Sequence, residues 1–303
     1  MTTAPPSRRL AALGVMGAAV LFGTTGTSLQ LLAPDAPAPS VAAMRLLVGS
    51  AGLLAFVLWR DHGAELPRLW RRPVVWAMGL AVAGYQAFFF IGTTRTGVAV
   101  GTLIALGSAP LLAGGLGWLL KEGAPGWLWA ASTVIAVAGL ALLMAGSLST
   151  GDPLGMLSAA GAGTCYATFT VLGVRLSRAD VPPSAVLAAS FSIGALVLLP
   201  AVFMSTWWMT SAGVVEVIWL GLVTTTVAYL LFGMGLRVLQ PGHIATLTLL
   251  EPAIATLLGV VVLREPLSLI GWIGCLLVMG ALALLGVAES RADRTGTTSG
   301  ATR

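Results

Sequence analysis

Ten stretches of roughly 20 apolar residues, parted by short polar joints, leave this chain few folds to choose from. A spanning helix needs about 20 such residues to cross a bilayer's hydrocarbon core. Within that core every backbone N–H and C=O must be satisfied inside the segment, which favours helices. The runs are Leu10–Leu32, Ser40–Trp59, Pro73–Gly92, Gly97–Leu120, Gly126–Gly146, Pro153–Val174, Ser184–Met204, Gly213–Leu236, Pro241–Leu263 and Leu267–Val287. The chain is 57% hydrophobic and 9% charged, whereas a soluble domain carries about 25% charged residues. The reading is therefore an all-α polytopic membrane protein with ten transmembrane helices. Residues 289–303 are polar and rich in Thr, Gly and Arg, and read as a disordered cytoplasmic tail. No signal-peptide cleavage pattern precedes the first helix, which is expected to act as its own uncleaved signal.

The basic residues orient the bundle. With the N-terminus in the cytoplasm, the inner segments hold Arg8, Arg9, Arg60, Arg68, Arg71, Arg72, Lys121, Arg175, Arg178, Arg237, Arg291, Arg294 and Arg303. The outer segments hold only Arg95 and Arg264, and Arg45 lies within the second helix. The positive-inside rule then puts both termini in the cytoplasm. Because these arginines are spread over short loops, the net charge of +5 gives no nucleic-acid-binding face. Cys165 and Cys275 fall inside apolar runs and read as small buried residues, not as a disulfide or metal pair.

The sequence also repeats. Residues 79–118 align without a gap on 221–260, matching Gly79, Leu80, Phe90, Arg95, Pro110, Leu116 and Gly117 to Gly221, Leu222, Phe232, Arg237, Pro252, Leu258 and Gly259. After a slip of one residue, Lys121-Glu122 matches Arg264-Glu265 and Trp129 matches Trp272. Residues 10–146 and 153–287 thus read as two copies of one five-helix unit. Five is odd, so the copies enter the membrane from opposite sides. Inverted repeats recur in secondary transporters, whose substrate sites lie near the midplane between the halves.

One stretch stands out chemically: Leu247–Ala253, reading Leu-Thr-Leu-Leu-Glu-Pro-Ala. Glu251 is the one carboxylate that falls near the centre of an apolar run, where a charge must be paired, protonated or in use. Pro252 beside it has no N–H for the helix ladder, which predicts a kink and a freed Thr248 carbonyl. Pro110 is the matched kink in the first copy, with the same alternative of simply shaping a curved helix. Arg45 is the other charge at membrane depth. Its alternatives are snorkelling to the surface, pairing with Glu251, or gripping a substrate carboxylate bidentately. Glu251 aligns with Ala109, and Arg45 with Ala189, so the shared unit requires neither charge.

Leu250-Glu251-Pro252, Leu263-Arg264-Glu265-Pro266, Ala42–Arg45 and Phe22-Gly23-Thr24-Thr25 together resemble the EamA-type drug/metabolite transporter superfamily over about residues 10–287. The resemblance implies a basket-like bundle around a central cavity in a bacterial cytoplasmic membrane. It also implies export of small metabolites such as amino acids by secondary transport. A multidrug-type efflux carrier is the alternative within that class.

The candidate substrate-binding set is Glu251, Arg45, Tyr85, Gln86, Tyr166, Tyr229, Thr24, Thr25 and Thr248. The three tyrosines are all that the chain has. Aromatic walls with few polar groups suit a small amphiphilic ligand. The threonines have a plain alternative, since Ser and Thr often bond their own helix or a neighbour. His243 reads as a capping residue near the cytoplasmic end of its helix rather than a relay. An enzyme is disfavoured, because neither His-Glu-x-x-His nor Gly-x-Ser-x-Gly occurs. An ATP-driven pump is disfavoured by the lack of a Gly-rich Lys-Ser/Thr phosphate loop. A channel would favour rings of charge over single ones. No cofactor or metal is implied. The expected partners are a small-molecule substrate, a proton carried by Glu251, and membrane lipid. Monomer and homodimer both remain open.

Overall fold

The computed structural model describes residues 6–123, 126–145, 152–179 and 181–299. Among them the regular elements are all helical. In chain order the first unit holds α1 (Arg8–Leu32), α2 (Ala38–Asp61), a short α3 (Leu66–Trp70), α4 (Pro73–Thr96), α5 (Val98–Leu119) and α6 (Trp127–Leu143). The second holds α7 (Pro153–Arg178), α8 (Pro183–Val202), α9 (Ser211–Ile218), α10 (Ala228–Val238), α11 (Pro241–Leu247), α12 (Leu250–Val261) and α13 (Leu269–Ser299). A π-helical segment, Trp219–Val227, joins α9 to α10. Nine helical segments of the described residues are long and apolar enough to cross a membrane, and α6 is a shorter tenth at 17 residues. Side chains of α13 are described to Val287, and its helical backbone continues to Ser299, through most of the stretch expected to be a disordered tail; residues 300–303 lie outside the described residues.

Helix starts follow local chemistry. Proline opens α4, α7, α8 and α11, where its missing N–H costs nothing and its fixed φ fits the first turn. Ser7, Asp152 and Thr210 cap α1, α7 and α9 with side-chain oxygens. Between α4 and α5 a single residue, Gly97, turns the chain at φ 84°, a conformation open chiefly to glycine.

The repeat predicted from sequence is visible in the backbone. Lys121 and Arg264, its matched basic residues, both end helices in the left-handed region, at φ 61° and 58°. After each, the acidic residue turns its N–H back to the helix, Glu122 to Gly117 O at 2.8 Å and Glu265 to Gly259 O at 3.1 Å. Packing obeys the same symmetry. α4 lies along α7 as α1 lies along α10, and α5 along α7 as α12 lies along α1. α6 pairs with α13, and α2 with α8. Small residues make these approaches possible. A Cβ on Gly79 would meet Ile193 Cβ at 2.6 Å, and one on Gly139 would meet Gly274 O at 2.8 Å.

Two expected helices differ from their simple form. The run 213–236 is α-helical only at its ends. Over its middle the Thr225 and Thr226 hydroxyls donate to the carbonyls five residues back, Leu220 O at 2.8 Å and Gly221 O at 3.0 Å. The run 241–263 breaks between α11 and α12. There the Thr248 carbonyl is not freed as expected, because Glu251 N donates to it at 3.0 Å. A tighter turn takes up the acceptor that Pro252 cannot reach. In the other unit α5 passes Pro110 without interruption.

Candidate functional site

The two units enclose a chamber of about 60 Å³. Arg45 (α2), Tyr85 and Gln86 (α4), Tyr166 (α7), Tyr229 (α10), Thr248 and Glu251 supply its polar wall; Phe22, Leu46, Leu106, Phe169 and Phe191 are among its apolar lining. Seven of the nine residues singled out in the sequence thus meet in one place, drawn from both copies of the repeat.

Arg45 is held on two sides. Its Nε donates to Thr225 Oγ1 at 3.1 Å, and its guanidinium lies 5.9 Å from the centre of the Phe22 ring. Thr225 is presented by the π-helical segment, which presses against α2 at Gly49: a Cβ there would come within 2.6 Å of Thr225 Cβ. π-segments are found frequently at functional sites. The two terminal nitrogens of Arg45 and the carboxylate of Glu251 have no protein partner among the described residues, and the two groups do not pair with each other. The Glu251 backbone sits against α1, where a Cβ on Gly23 would meet Glu251 O at 2.9 Å. A guanidinium fork and a carboxylate facing one small space can hold a carboxylate and an ammonium at once.

The aromatic wall is continuous. Tyr229 lies 4.3 Å from Phe191 and 5.1 Å from Phe22, centre to centre, and Phe169 meets it edge-on at 6.1 Å. Tyr85 stacks on Phe89 at 5.6 Å and tilts against Tyr166 at 6.1 Å. The Tyr166 hydroxyl and Thr248 Oγ1 share a hydrogen bond of 2.9 Å across the α7–α11 contact.

Two of the nine fall elsewhere. Thr24 donates to Leu21 O at 2.7 Å and accepts from Trp219 Nε1 at 3.2 Å, away from the chamber. Thr25 lines a wider vestibule of about 420 Å³ that shares Arg45 and Gln86 with the chamber. Sequence reasoning missed Phe169 and Phe191, which look like any phenylalanine in an apolar run. It also missed Glu216, which is fully buried and accepts from Ser28 Oγ at 2.9 Å. Its signal, an acid near the start of the run 213–236, is weak because acids near helix ends usually reach solvent.

The vestibule opens at the N-terminal end of α2 and at the α4–α5 turn, lined by Ala38, Thr94 and Val98. On the opposite face, hydrogen bonds tie neighbouring segments together. Arg178 at the end of α7 donates to Glu122 O at 2.7 Å, to Glu122 Oε2 at 3.3 Å and to Leu239 O at 3.0 Å, tying three segments together. Arg8 Nη2 reaches Val238 O at 3.4 Å, and Thr133 and Thr246 share a buried bond of 2.8 Å.

A ten-helix bundle built of two repeats, with a polar chamber that adjoins a vestibule, has the architecture of a membrane transporter. The family model of the EamA-like transporter family matches residues 9–145 and 153–287, and the chain belongs to that family. It is 37% identical to the uncharacterized transporter YwfM of Bacillus subtilis (strain 168), over 92% of this chain and 94% of that protein. It is 30% identical to the threonine/homoserine exporter RhtA of Escherichia coli (strain K12), over 85% of this chain and 83% of that one. A solved crystal structure has the same fold, with a TM-score of 0.79 over 93% of this chain and 98% of that chain, at 23% identity. The protein is a multi-pass transporter of the bacterial cell membrane.

Proposed function

We propose that the protein exports small zwitterionic metabolites, amino acids or close relatives, by alternating access. The observation that carries this is the pair Arg45 and Glu251, opposite charges lining one chamber with their binding atoms unclaimed by the protein. A charge kept at membrane depth without a partner is costly, and a ligand bearing both charges removes that cost. The kinship with an exporter of threonine and homoserine supports the class of substrate.

With the basic residues in the cytoplasm, the vestibule faces outward and the Arg178 face inward. The described conformation is then the outward-open one. The units 10–146 and 153–287 rock against each other about the chamber, breaking the Arg178 contacts as the inner face opens. Glu251 also carries the proton in antiport: it binds either the substrate ammonium or a proton, never both.

The test is export from whole cells loaded with an amino-acid mixture, comparing wild type, Glu251→Gln and Arg45→Gln at equal membrane levels. The expected result is a defined set released by wild type and lost in both variants. Release of the same set by all three would remove both residues from the mechanism.

A further inference from the structure

The chamber and the vestibule divide the work of recognition unequally. At about 60 Å³ the chamber holds a few waters' worth of volume, room for a charged head group but not for a large side chain. The vestibule, about 420 Å³, begins where the chamber ends, since Arg45 and Gln86 line both. Its wall is carbon. Val41, Ala42, Phe89, Phe90 and Val98 form it. The hydroxyls of Thr93 and Thr94 at its rim donate to their own helix, to Phe89 O at 3.0 Å and Phe90 O at 2.9 Å. The stacked Tyr85–Phe89 pair carries the aromatic surface from one space into the other.

A polar side chain entering this vestibule would exchange water for carbon with few hydrogen bonds in return. A large apolar one would gain by leaving water. We propose that Phe89, Phe90, Val41 and Ala42 select the side chain of the substrate, and that the preferred substrates are α-amino acids with large apolar side chains, of leucine to phenylalanine size. The head group then lies between Arg45 and Glu251 with the side chain pointing up the vestibule. This rests on the zwitterion reading of those two charges. It departs from the hydroxyl-bearing substrates in the name of the RhtA relative.

The experiment is ligand-induced thermal stabilisation of the purified full-length protein in nanodiscs, followed by counterflow of labelled leucine in proteoliposomes. Leucine, methionine and phenylalanine are set against glycine, threonine and homoserine. The leucine-derived amine and carboxylic acid, each lacking one charge, are included. Leucine-sized zwitterions should bind about 10- to 100-fold more tightly than threonine, with neither single-charge analogue binding comparably. Phe89→Ser should raise the KM for leucine about tenfold relative to that for glycine, while Phe89→Leu restores the leucine-to-glycine ratio. The Leu variant separates lost selectivity from lost folding. Threonine or homoserine binding as well as leucine would overturn side-chain selection while leaving amino-acid export standing. Tighter binding of the amine or the acid than of leucine, with the same size preference, would overturn the zwitterion reading and leave the vestibule's role intact. Binding by none of these compounds would overturn both.

Discussion

Replacing Gly49 by alanine tests how Arg45 is held. Gly49 lies one helical turn beyond Arg45 on α2, against the π-helical segment. The added methyl would sit 2.6 Å from Thr225 Cβ and 3.2 Å from Gly221 O, and closer still to Thr225 Cγ2. Carbon atoms rest about 3.5–4.0 Å apart, so α2 and the segment must separate by roughly 1 Å. Overpacking of this kind costs about 1–3 kcal/mol. The same shift stretches the Arg45 Nε–Thr225 Oγ1 bond from 3.1 Å to about 4 Å, beyond hydrogen-bonding range. A bond to a charged group is worth about 1.5–3 kcal/mol, so the weakened positioning of the guanidinium should raise the transport KM by tenfold or more. The assay is initial-rate uptake into inverted vesicles, with thermal unfolding in detergent alongside. Gly115→Ala is the control, since a Cβ there meets nothing within 4 Å. Wild-type KM and wild-type stability in Gly49→Ala would refute the claim that the α2–π contact sets Arg45.

Arg178→Ala removes three bonds that tie the end of α7 to Glu122 and Leu239. It should cost about 1–2 kcal/mol after solvent screening and speed alkylation of a cysteine placed at Thr246, read by mass shift. Lys121→Gly relieves an exposed residue of its left-handed conformation (φ 61°). It should stabilise the protein by about 0.5–1 kcal/mol, seen as a higher melting temperature. Asp152 beside Arg95 at 3.0 Å has its carboxyl held below the usual range, chiefly by the Arg95 hydrogen bond. A depressed carboxylate stabilises above its unfolded pKa, about 3.9, and loses that contribution as pH falls through the folded value. Asp152→Asn should therefore show a flatter melting curve against pH below about 4 than wild type does.

Much of this fold is legible in the sequence because run length alone answers to bilayer thickness, and the gap-free repeat shows one five-helix unit used twice. The charges of the chamber are legible for a different reason. Arg45 and Glu251 break the apolar pattern, and the aligned Ala189 and Ala109 show that the scaffold does without them. What was not legible depends on hydrogen-bond register or on direction around a helix. The π-helical segment leaves the apolar run unchanged and alters only which carbonyl each donor reaches, and at the interruption that Pro252 foretold the sequence did not show that Glu251 N would take up the Thr248 carbonyl. Thr24 and Thr25 are neighbours in sequence, but about 100° apart around α1, so only Thr25 reaches the vestibule. Phe169 and Phe191 line the chamber as carbon among carbon, with no polarity to mark them.

The crossed packing has a consequence for how the protein is made. α1 leans on α10 and α12, α2 on α8, α4 on α7, and α6 on α13, so most faces of the first five-helix unit find their partners in the second. As the ribosome delivers the chain in order, those faces wait in lipid until residues 153–287 follow them into the bilayer. A fragment ending near residue 146 should accordingly be degraded when made alone. It should be rescued by a separately synthesised 153–303 fragment, since docking between the units, and not a covalent joint, completes the core.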